Sequence, residues 1–486
     1  MITVQGNFLT ARELIRQANR QGQVIEIRLD LLESLGDAFL LRSFCDLPVI
    51  FALRKKSQGG KFKGDERKRE QKILDLLSCG PEYLDLEYDS CPPFFHEVLR
   101  NFPKTKIICS YHDFEKTPEH LESILMKMKN RPAAAYKIAT FARSSLDSLR
   151  MLTLVQTQRC VAGMCMGKHG IITRVLAPIV GSMFTYTTID TPLIPGQVPI
   201  DVLEKTYHFS RLGKHTAICA LIGDPIAESQ GHLFHNLTYR ILALDAVYVK
   251  FVIRPTEVPE FFRLIRSLPF RGFSITMPLK EVVWSFLDRL DASTRSIGAV
   301  NTLVWQQGKW KGVNTDGIGG LDALEAKEKI KGKRIVILGA GGTARALTFE
   351  SISRGGKVWI ANRSEEKARQ LAAQFGCKTT SFKKWHHLPF DILINTTPIG
   401  MESSDSKIII SSHLIPKHAT VFDAVARLEQ TDLLYQAQSK GCKTICGYDM
   451  FFRQADRQIA IWFNRSVDFT SHDQKAVLNQ VLQRFS

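Results

Sequence analysis

The sequence predicts an α/β protein in two parts: an N-terminal (β/α)8 barrel, then a two-domain α/β region with a Rossmann-like dinucleotide turn. Three observations carry this. Eight short apolar runs alternate with helical stretches across residues 1–209, the rhythm of a closed parallel barrel. Arg334–Leu338 (RIVIL) has the character of a buried strand and runs straight into the glycine-rich GAGGTARAL, Gly339–Leu347. The chain's 486 residues are also too many for one hydrophobic core.

The barrel strands read as Ile2–Gln5, Val24–Arg28, Val49–Leu53, Tyr83–Leu86, Lys106–Ser110, Ala135–Ile138, Cys160–Met164 and Met183–Thr187. Thr10 with Glu13 is a capping box for the first helix. Thr117-Pro118 reads as a cap and first-position proline for another. Charge gathers where strands end: Glu26, Arg28 and Asp30 on the second, Arg54 on the third, Asp85 and Glu87 on the fourth, His112 on the fifth. Lys137 lies inside the apolar run AAAYKIATFA. One such lysine would ordinarily snorkel to the rim. Five converging charged strands mark an active site instead.

A short connection near Ser210–Lys214 leads into the second part. Between Gly272 and Gly320 the residues Ser274, Thr276, Lys280, Asn301, Thr302, Asn314, Thr315 and Asp316 punctuate short apolar stretches. Hydroxyls and amides at strand ends suit a pocket for a polyhydroxylated anion, each making one directed hydrogen bond. Lys280 and Asp316 add a pair able to move a proton. The glycine turn then lets the backbone approach a pyrophosphate, and the helix beginning near Thr343 aims its amides at it. The next strand, Val358–Ser364, ends without the acid that would hold an NAD ribose. It carries Asn362, Arg363 and Ser364, with Lys367 beyond, so a 2′-phosphate and hence NADP is expected. Asp391–Met401 supplies one more strand and turn, and Gly447–Trp462 has helical spacing with Gln454 on it.

The first 209 residues resemble type I 3-dehydroquinate dehydratase: SYHDF with His112, YKIA with Lys137, MGKHGIITR with Arg174 and PGQ with Gln197. The resemblance implies that Lys137 condenses with a ketone to an iminium, which is a far better electron sink than the ketone. His112 would then abstract the neighbouring proton and protonate the departing hydroxyl. Arg28, Arg54 and Arg174, with Glu26, are candidates to hold the substrate, and Gln197 would sit on a closing loop. Downstream, GFSITMPLKE, IGAVNT and GVNTDG, in that order, closely resemble the signature of shikimate dehydrogenases. That implies substrate contacts from Ser229 (in GDPIAESQGHLFHN), Thr276, Asn301 and Gln454. It implies cofactor contacts from Gly339, Ala340, Gly341, Gly342, Thr343 and Ala344, with Gly447. Implied boundaries are 1–209 for the dehydratase, 215–316 with helices 448–486 for the substrate domain, and 317–447 for the NADP domain. The product of the first activity, 3-dehydroshikimate, is the substrate of the second, so the chain reads as two consecutive steps of aromatic biosynthesis.

Five positions depart from the family patterns. Gln58 stands where an acid precedes the Gly-Gly pair, Leu193 where a serine precedes Pro-Gly-Gln, Gly231 where a second serine is usual, His232 where a proline is usual, and Ala426 where a tyrosine is typical. They alter substrate contacts and leave Lys137, His112, Lys280 and Asp316 in place. A regulator built from decayed copies would have lost those four. A catabolic quinate/shikimate dehydrogenase using NAD is disfavoured by Asn362-Arg363-Ser364.

The formal charge of +17 suits anionic substrates. The basic cluster Arg54–Arg69 lacks interleaved aromatics or any nucleic-acid motif, so it is expected to be a basic loop over an anion site, with no nucleic-acid partner. The 10 cysteines form no CxxC pair, and Cys160, Cys165, Cys442 and Cys446 read as core. Met1 leads directly into a strand and no apolar run is long enough for a bilayer, so a cytoplasmic protein with no membrane partner and no metal is expected.

Overall fold

The computed structural model describes residues 1–189, 192, 194–401, 410–427 and 430–465. Leu193 and residues 466–486 of the expected closing helices therefore lie outside the described residues. The chain divides into two compact units, residues 1–218 with 239–253 and 259–269, and residues 219–238 with 254–258 and 270–486.

The first unit holds the barrel. Its strands are β1 (Ile2–Gly6), β2 (Ile25–Leu32), β3 (Val49–Ala52), β4 (Tyr83–Glu87), β5 (Lys106–Asp113), β6 (Ala135–Phe141), β7 (Val161–Met166), β8 (Thr187–Thr188) and β9 (Val198–Pro199). Around them run α1 (Phe8–Gln21), α2 (Asp37–Ser43), α3 (Glu66–Leu77), α4 (Pro92–Asn101), α5 (Leu121–Lys129), α6 (Ser145–Thr157), α7 (Ile171–Val175), α8 (Ala177–Val180) and α9 (Ile200–Tyr207). Neighbours follow the order β7-β6-β5-β4-β3-β2-β1-β8-β9, pairing in parallel. The eighth predicted strand is the thin one. Only Thr187 and Thr188 form a ladder, and Met183 closes the barrel by donating its backbone N–H to Val161 O at 3.1 Å.

Strand alternation explains what fills the barrel. Ile50, Ile108 and Ala135 pack with Met1, Val24, Tyr83 and Phe184 in one apolar layer. Two residues further along the same strands stand Glu26, Asp85, Ser110, Lys137 and Tyr186. Two more bring Arg28, Arg54, Glu87 and His112. The apolar floor thus sets the register on which two polar layers are stacked.

Several expectations are corrected. Strands β2, β5 and β6 run longer than predicted, so Arg28 and His112 lie within β2 and β5 instead of at their ends, and Lys137 lies inside β6. The cap of α1 is Asn7, whose side chain accepts from Thr10 N at 2.9 Å, while Glu13 binds Arg16 and Gln17. A proline-started helix at Thr117 is absent; α5 begins at Leu121. The Arg54–Arg69 segment is no simple basic loop. Arg54 is buried, and Arg69, on α3, is fully buried, donating to Glu87 Oε2 and Leu53 O at 2.9 Å and Glu66 Oε1 at 2.6 Å. Cys160, read as core, is exposed at φ +58°, and Cys446 is only half-buried.

The remaining strands are β10 (Ala217–Gly223), β11 (Ala246–Val252), β12 (Phe270–Ile275), β13 (Arg289–Leu290), β14 (Thr302–Gln306), β15 (Lys309–Val313), β16 (Arg334–Leu338), β17 (Lys357–Ala361), β18 (Lys378–Thr379), β19 (Ile392–Asn395), β20 (Thr420–Asp423) and β21 (Lys443–Ile445). The helices are α10 (Gly231–Ile241), α11 (Val258–Ile265), α12 (Ala292–Ile297), α13 (Asp316–Glu325), α14 (Gly342–Ser353), α15 (Glu365–Phe375), α16 (Asp432–Ser439) and α17 (Gly447–Phe463). In the second unit β10, β12, β14, β15 and β13 are neighbours in that order. A separate parallel sheet runs β18-β17-β16-β19-β20-β21 between two apolar layers, one holding Leu347 and Leu371, the other Trp385 and Leu433. Its strand order reverses between β16 and β19, the place where such sheets bind a ligand.

α17 is anchored on β14. Trp462 donates from Nε1 to Leu303 O at 2.9 Å, and its ring fits only because residue 272 is glycine: a Cβ there would stand 2.1 Å from Nε1.

Candidate active sites

In the barrel, burial has forced the charges to satisfy one another. Lys137 Nζ, on a side chain 5% exposed, donates to Asp85 Oδ2 at 2.6 Å and to the Tyr186 hydroxyl at 2.8 Å, with Glu26 Oε2 at 3.6 Å. Asp85 also accepts from Ser110 Oγ at 2.6 Å and pairs with Arg54 Nη2 at 2.8 Å. Burial alone would raise the Asp85 carboxyl, but Arg54 and Lys137 outweigh it and hold the carboxyl below the usual carboxylate range.

His112 Nδ1 lies 3.2 Å from Arg54 Nη1 and 3.3 Å from Gln58 Oε1, and Gln58 Oε1 also accepts from His112 N at 3.1 Å. Gln58, the replacement for an acid, therefore still reaches the histidine, without charge. Burial, then the Arg54 and Lys137 cations, hold the imidazole well below its ordinary value, which keeps it a neutral base. Arg28 is paired with Asp30 through two contacts of 2.9 Å. Arg174 differs: it is buried, donates to Gly196 O at 3.0 Å, and meets no carboxylate among the described residues. Burial lowers its guanidinium to about 10. A buried cation lacking an anion is costly, and an anionic ligand would offset that cost. Gln197 is buried with Nε2 donating to Thr187 O at 3.2 Å.

The second constellation is assembled from the segments after β12 and before β14, with α13, α14 and α17. Lys280 Nζ donates to Asp316 Oδ2 at 2.6 Å and to Thr343 Oγ1 at 2.9 Å. Asn301 Nδ2 donates to Asp316 Oδ1 at 2.7 Å and Thr315 Oγ1 at 2.9 Å, with Gln454 Oε1 at 3.3 Å. Its Oδ1 accepts from Thr315 N and Thr302 Oγ1, both at 2.8 Å. Asn314 fixes the start of α13 by accepting from Asp316 N at 3.0 Å. Thr276 is held beside β10, donating its backbone N–H to Ile222 O at 3.0 Å. Ser229 Oγ accepts from Gly231 N at 3.3 Å, so Gly231 is part of that turn's backbone.

The β16 turn fits a dinucleotide. Gly339 has φ +116°, and a Cβ there would stand 2.3 Å from Thr396 Oγ1. Gly341 caps α14 with no side-chain hydrogen bond and faces open space, leaving the first amides of Gly342, Thr343 and Ala344 for a ligand, with Ala340 half-buried in the turn. At the end of β17, Arg363 is exposed and forms no ion pair among the described residues. Asn362 Nδ2 donates to Ser364 O at 3.0 Å, Ser364 caps α15, and Lys367 is exposed one turn on. Gly447 opens α17 against Val425, where a Cβ would stand 2.3 Å from the carbonyl oxygen; Ala426 beside it is exposed.

Sequence reading missed Tyr186 and Gln458 as functional candidates. Gln458 is buried one turn beyond Gln454, accepts from Ser274 Oγ at 2.8 Å and donates to Thr302 Oγ1 at 3.0 Å. The four-residue helical spacing of the two glutamines was its available signal. Tyr186 had one as well: it continues the alternation that starts at Phe184.

Comparison with known proteins finds a matching family in each half of the chain. The family model for type I 3-dehydroquinase matches residues 2–214. The shikimate dehydrogenase substrate binding domain matches 221–303, and shikimate/quinate 5-dehydrogenase matches 322–413. A chloroplastic bifunctional 3-dehydroquinate dehydratase/shikimate dehydrogenase of Arabidopsis thaliana is 33% identical over 467 residues, 90% of this chain and 77% of that one. The shikimate biosynthesis protein AroDE of Chlamydia pneumoniae is 32% identical over 476 residues, 95% of this chain and 94% of its own. Of solved structures, the shikimate dehydrogenase of Aquifex aeolicus is similar with a TM-score of 0.52 at 32% identity, over 56% of this chain and 99% of that one. A shikimate dehydrogenase in complex with NADP+ gives 0.53 at 32% identity, over 57% and 98%. Matching relatives over nearly its whole length, in the same order of parts, this chain belongs to the bifunctional 3-dehydroquinate dehydratase/shikimate dehydrogenase family.

Proposed function

We propose that this chain dehydrates 3-dehydroquinate to 3-dehydroshikimate in residues 1–209 and reduces that product to shikimate in residues 215–316 and 317–447, the latter binding NADP. The observation that carries the reading is Lys137: a buried amine in the centre of a barrel, one strand from a neutral histidine. Lys137 Nζ adds to the substrate ketone and expels water to form an iminium. His112 removes the proton from the adjacent carbon, and the electron pair is drawn toward the iminium nitrogen. The hydroxyl one carbon further leaves as water with the proton His112 has taken, and hydrolysis frees Lys137. Arg174 holds the substrate carboxylate through its planar fork.

In the second half, Ser229, Thr276, Asn301 and Gln454 hold the ring hydroxyls and carboxylate. Bound NADPH supplies the hydride. The Lys280–Asp316 pair, aligned by Asn301, delivers the proton that the carbonyl oxygen takes up. Arg363, with Asn362, Ser364 and Lys367 around it, receives the 2′-phosphate. The chain's ten free thiols fit a reducing compartment such as the cytoplasm. No helix among the described residues is long and apolar enough to cross a membrane.

The test is chemical. Borohydride added with 3-dehydroquinate is expected to fix a covalent adduct on Lys137, read by mass spectrometry of the intact chain. No adduct, or one on another lysine, would remove the barrel mechanism. A time course with 3-dehydroquinate and NADPH is expected to show dehydroshikimate, then shikimate.

A further inference from the structure

Lys137 must surrender a proton before its nitrogen can attack a carbonyl, and the structure offers two carboxylates to receive it. Asp85 is the nearer, but it is already engaged by Arg54 at 2.8 Å and Ser110 at 2.6 Å, and the cations around it keep it below the usual carboxylate range. Glu26 pairs with no arginine within 4.0 Å among the described residues, and it stands 3.6 Å from Nζ, too far for a direct hydrogen bond. Tyr186 fills the gap. Its hydroxyl accepts from Nζ at 2.8 Å and donates to Glu26 Oε2 at 2.5 Å, and its ring centroid lies 4.5 Å from Nζ. All three side chains are buried, so bulk water replaces this route poorly near neutral pH.

We propose that Tyr186 is a catalytic residue of the dehydratase, relaying the Lys137 proton to Glu26. An N–H bond of the Lys137 ammonium breaks and its proton joins the Tyr186 oxygen, while the Tyr186 O–H proton passes to Glu26 Oε2. Lys137 is left as a neutral amine with a free electron pair, Glu26 as a carboxylic acid, and Tyr186 as the phenol it began as. No electrons are exchanged with any other group. Burial, followed by the negative charges of Glu26 and Asp85, raises the phenol well above its ordinary value, so Tyr186 conducts a proton without resting as a phenolate. The proposal rests on Lys137 as the imine-forming residue.

The test uses the full chain carrying Tyr186→Phe, which keeps the ring and deletes only the relay oxygen. Imine formation with 3-dehydroquinate is followed by rapid quench with borohydride and mass spectrometry across pH, alongside kcat and KM for dehydration. Near pH 6 the variant is expected to form the Lys137 adduct about 10²–10⁴-fold more slowly than the wild type, the scale of a lost proton-transfer group. The deficit is expected to shrink as pH rises, because hydroxide takes the proton directly, while KM stays within about twofold. Glu26→Gln, which removes the acceptor end, is expected to show the same pH-dependent deficit. A loss equal at every pH, or no loss, overturns the relay while leaving the imine intact. A wild-type chain that forms no adduct on Lys137 overturns both.

Discussion

Lys137 and Lys280 each hold an aspartate at 2.6 Å, yet the roles proposed for the two pairs are opposite. Lys137 is 5% exposed and sits among a second carboxylate and an arginine-bridged aspartate, both on strands of one sheet, and a phenol from the segment leading into β8. Lys280 is 16% exposed, and its neighbours are one aspartate and one threonine hydroxyl, the aspartate aligned by an asparagine from another segment. A nucleophile needs somewhere to send its proton, whereas a proton donor needs only to be held in line. The pair distance says nothing of the role. The acceptors behind the pair do.

The sharpest way to break this comparison is to remove each lysine and measure both half-reactions. Lys137→Ala is expected to lower dehydration by more than the roughly 10²–10⁴-fold of a lost proton-transfer group, because the covalent step goes too. Reduction of supplied 3-dehydroshikimate is expected to persist. Lys280→Ala or Asp316→Asn is expected to do the reverse, lowering reduction by about 10²–10⁴-fold. If Lys137→Ala abolishes reduction in a chain still folded by circular dichroism, the two sites are not independent.

A smaller effect sharpens the contrast at the cofactor. Arg363→Ala removes a charge-assisted contact worth about 1.5–3 kcal/mol, so the Kd for NADPH is expected to rise roughly tenfold to a hundredfold with NADH nearly unchanged. Equal losses for both would make Arg363 a support of α15.

The smallest concerns pH. His112 is held well below 6.5 by burial, Arg54 and Lys137. A depressed folded-state value means that both the neutral base and its contribution to stability are present above the unfolded value. Both are lost as pH falls through the lower, folded one. The acid limb of kcat/KM for dehydration is thus expected below pH 6.5. A midpoint above it would show the imidazole shielded from those cations.

Much of this was legible because period and motif are local. Strands β1 to β7, the turn at Gly339 and the four candidate proton-transfer residues could be read within short windows. What escaped depends on distant partners. Tyr186 bonds to Glu26 across 160 residues, and the alternation from Phe184 could mark it as a candidate without naming that partner. Arg69 looked like one more cation in a basic run until the fold set it against Glu87; removing one partner of such a buried pair costs roughly 3–5 kcal/mol. The α1 cap was misread because Asn7 and Thr10 are both capping residue types, and only the chain's path decides between them.

The barrel's thin seam has a kinetic consequence. Among the described residues Met183 joins β7 by one backbone bond to Val161, and on the other side Thr187 donates to Met1 O at 3.0 Å and the Met1 ammonium to Thr185 O at 3.1 Å. A strand so sparsely tied opens at lower free energy than the rest of its sheet. Amide hydrogen exchange should therefore begin at Met183 while β4 to β6 stay protected. Because Tyr186 rides on that segment, each opening would draw its hydroxyl away from Lys137, tying the readiness of the amine to the breathing of one strand.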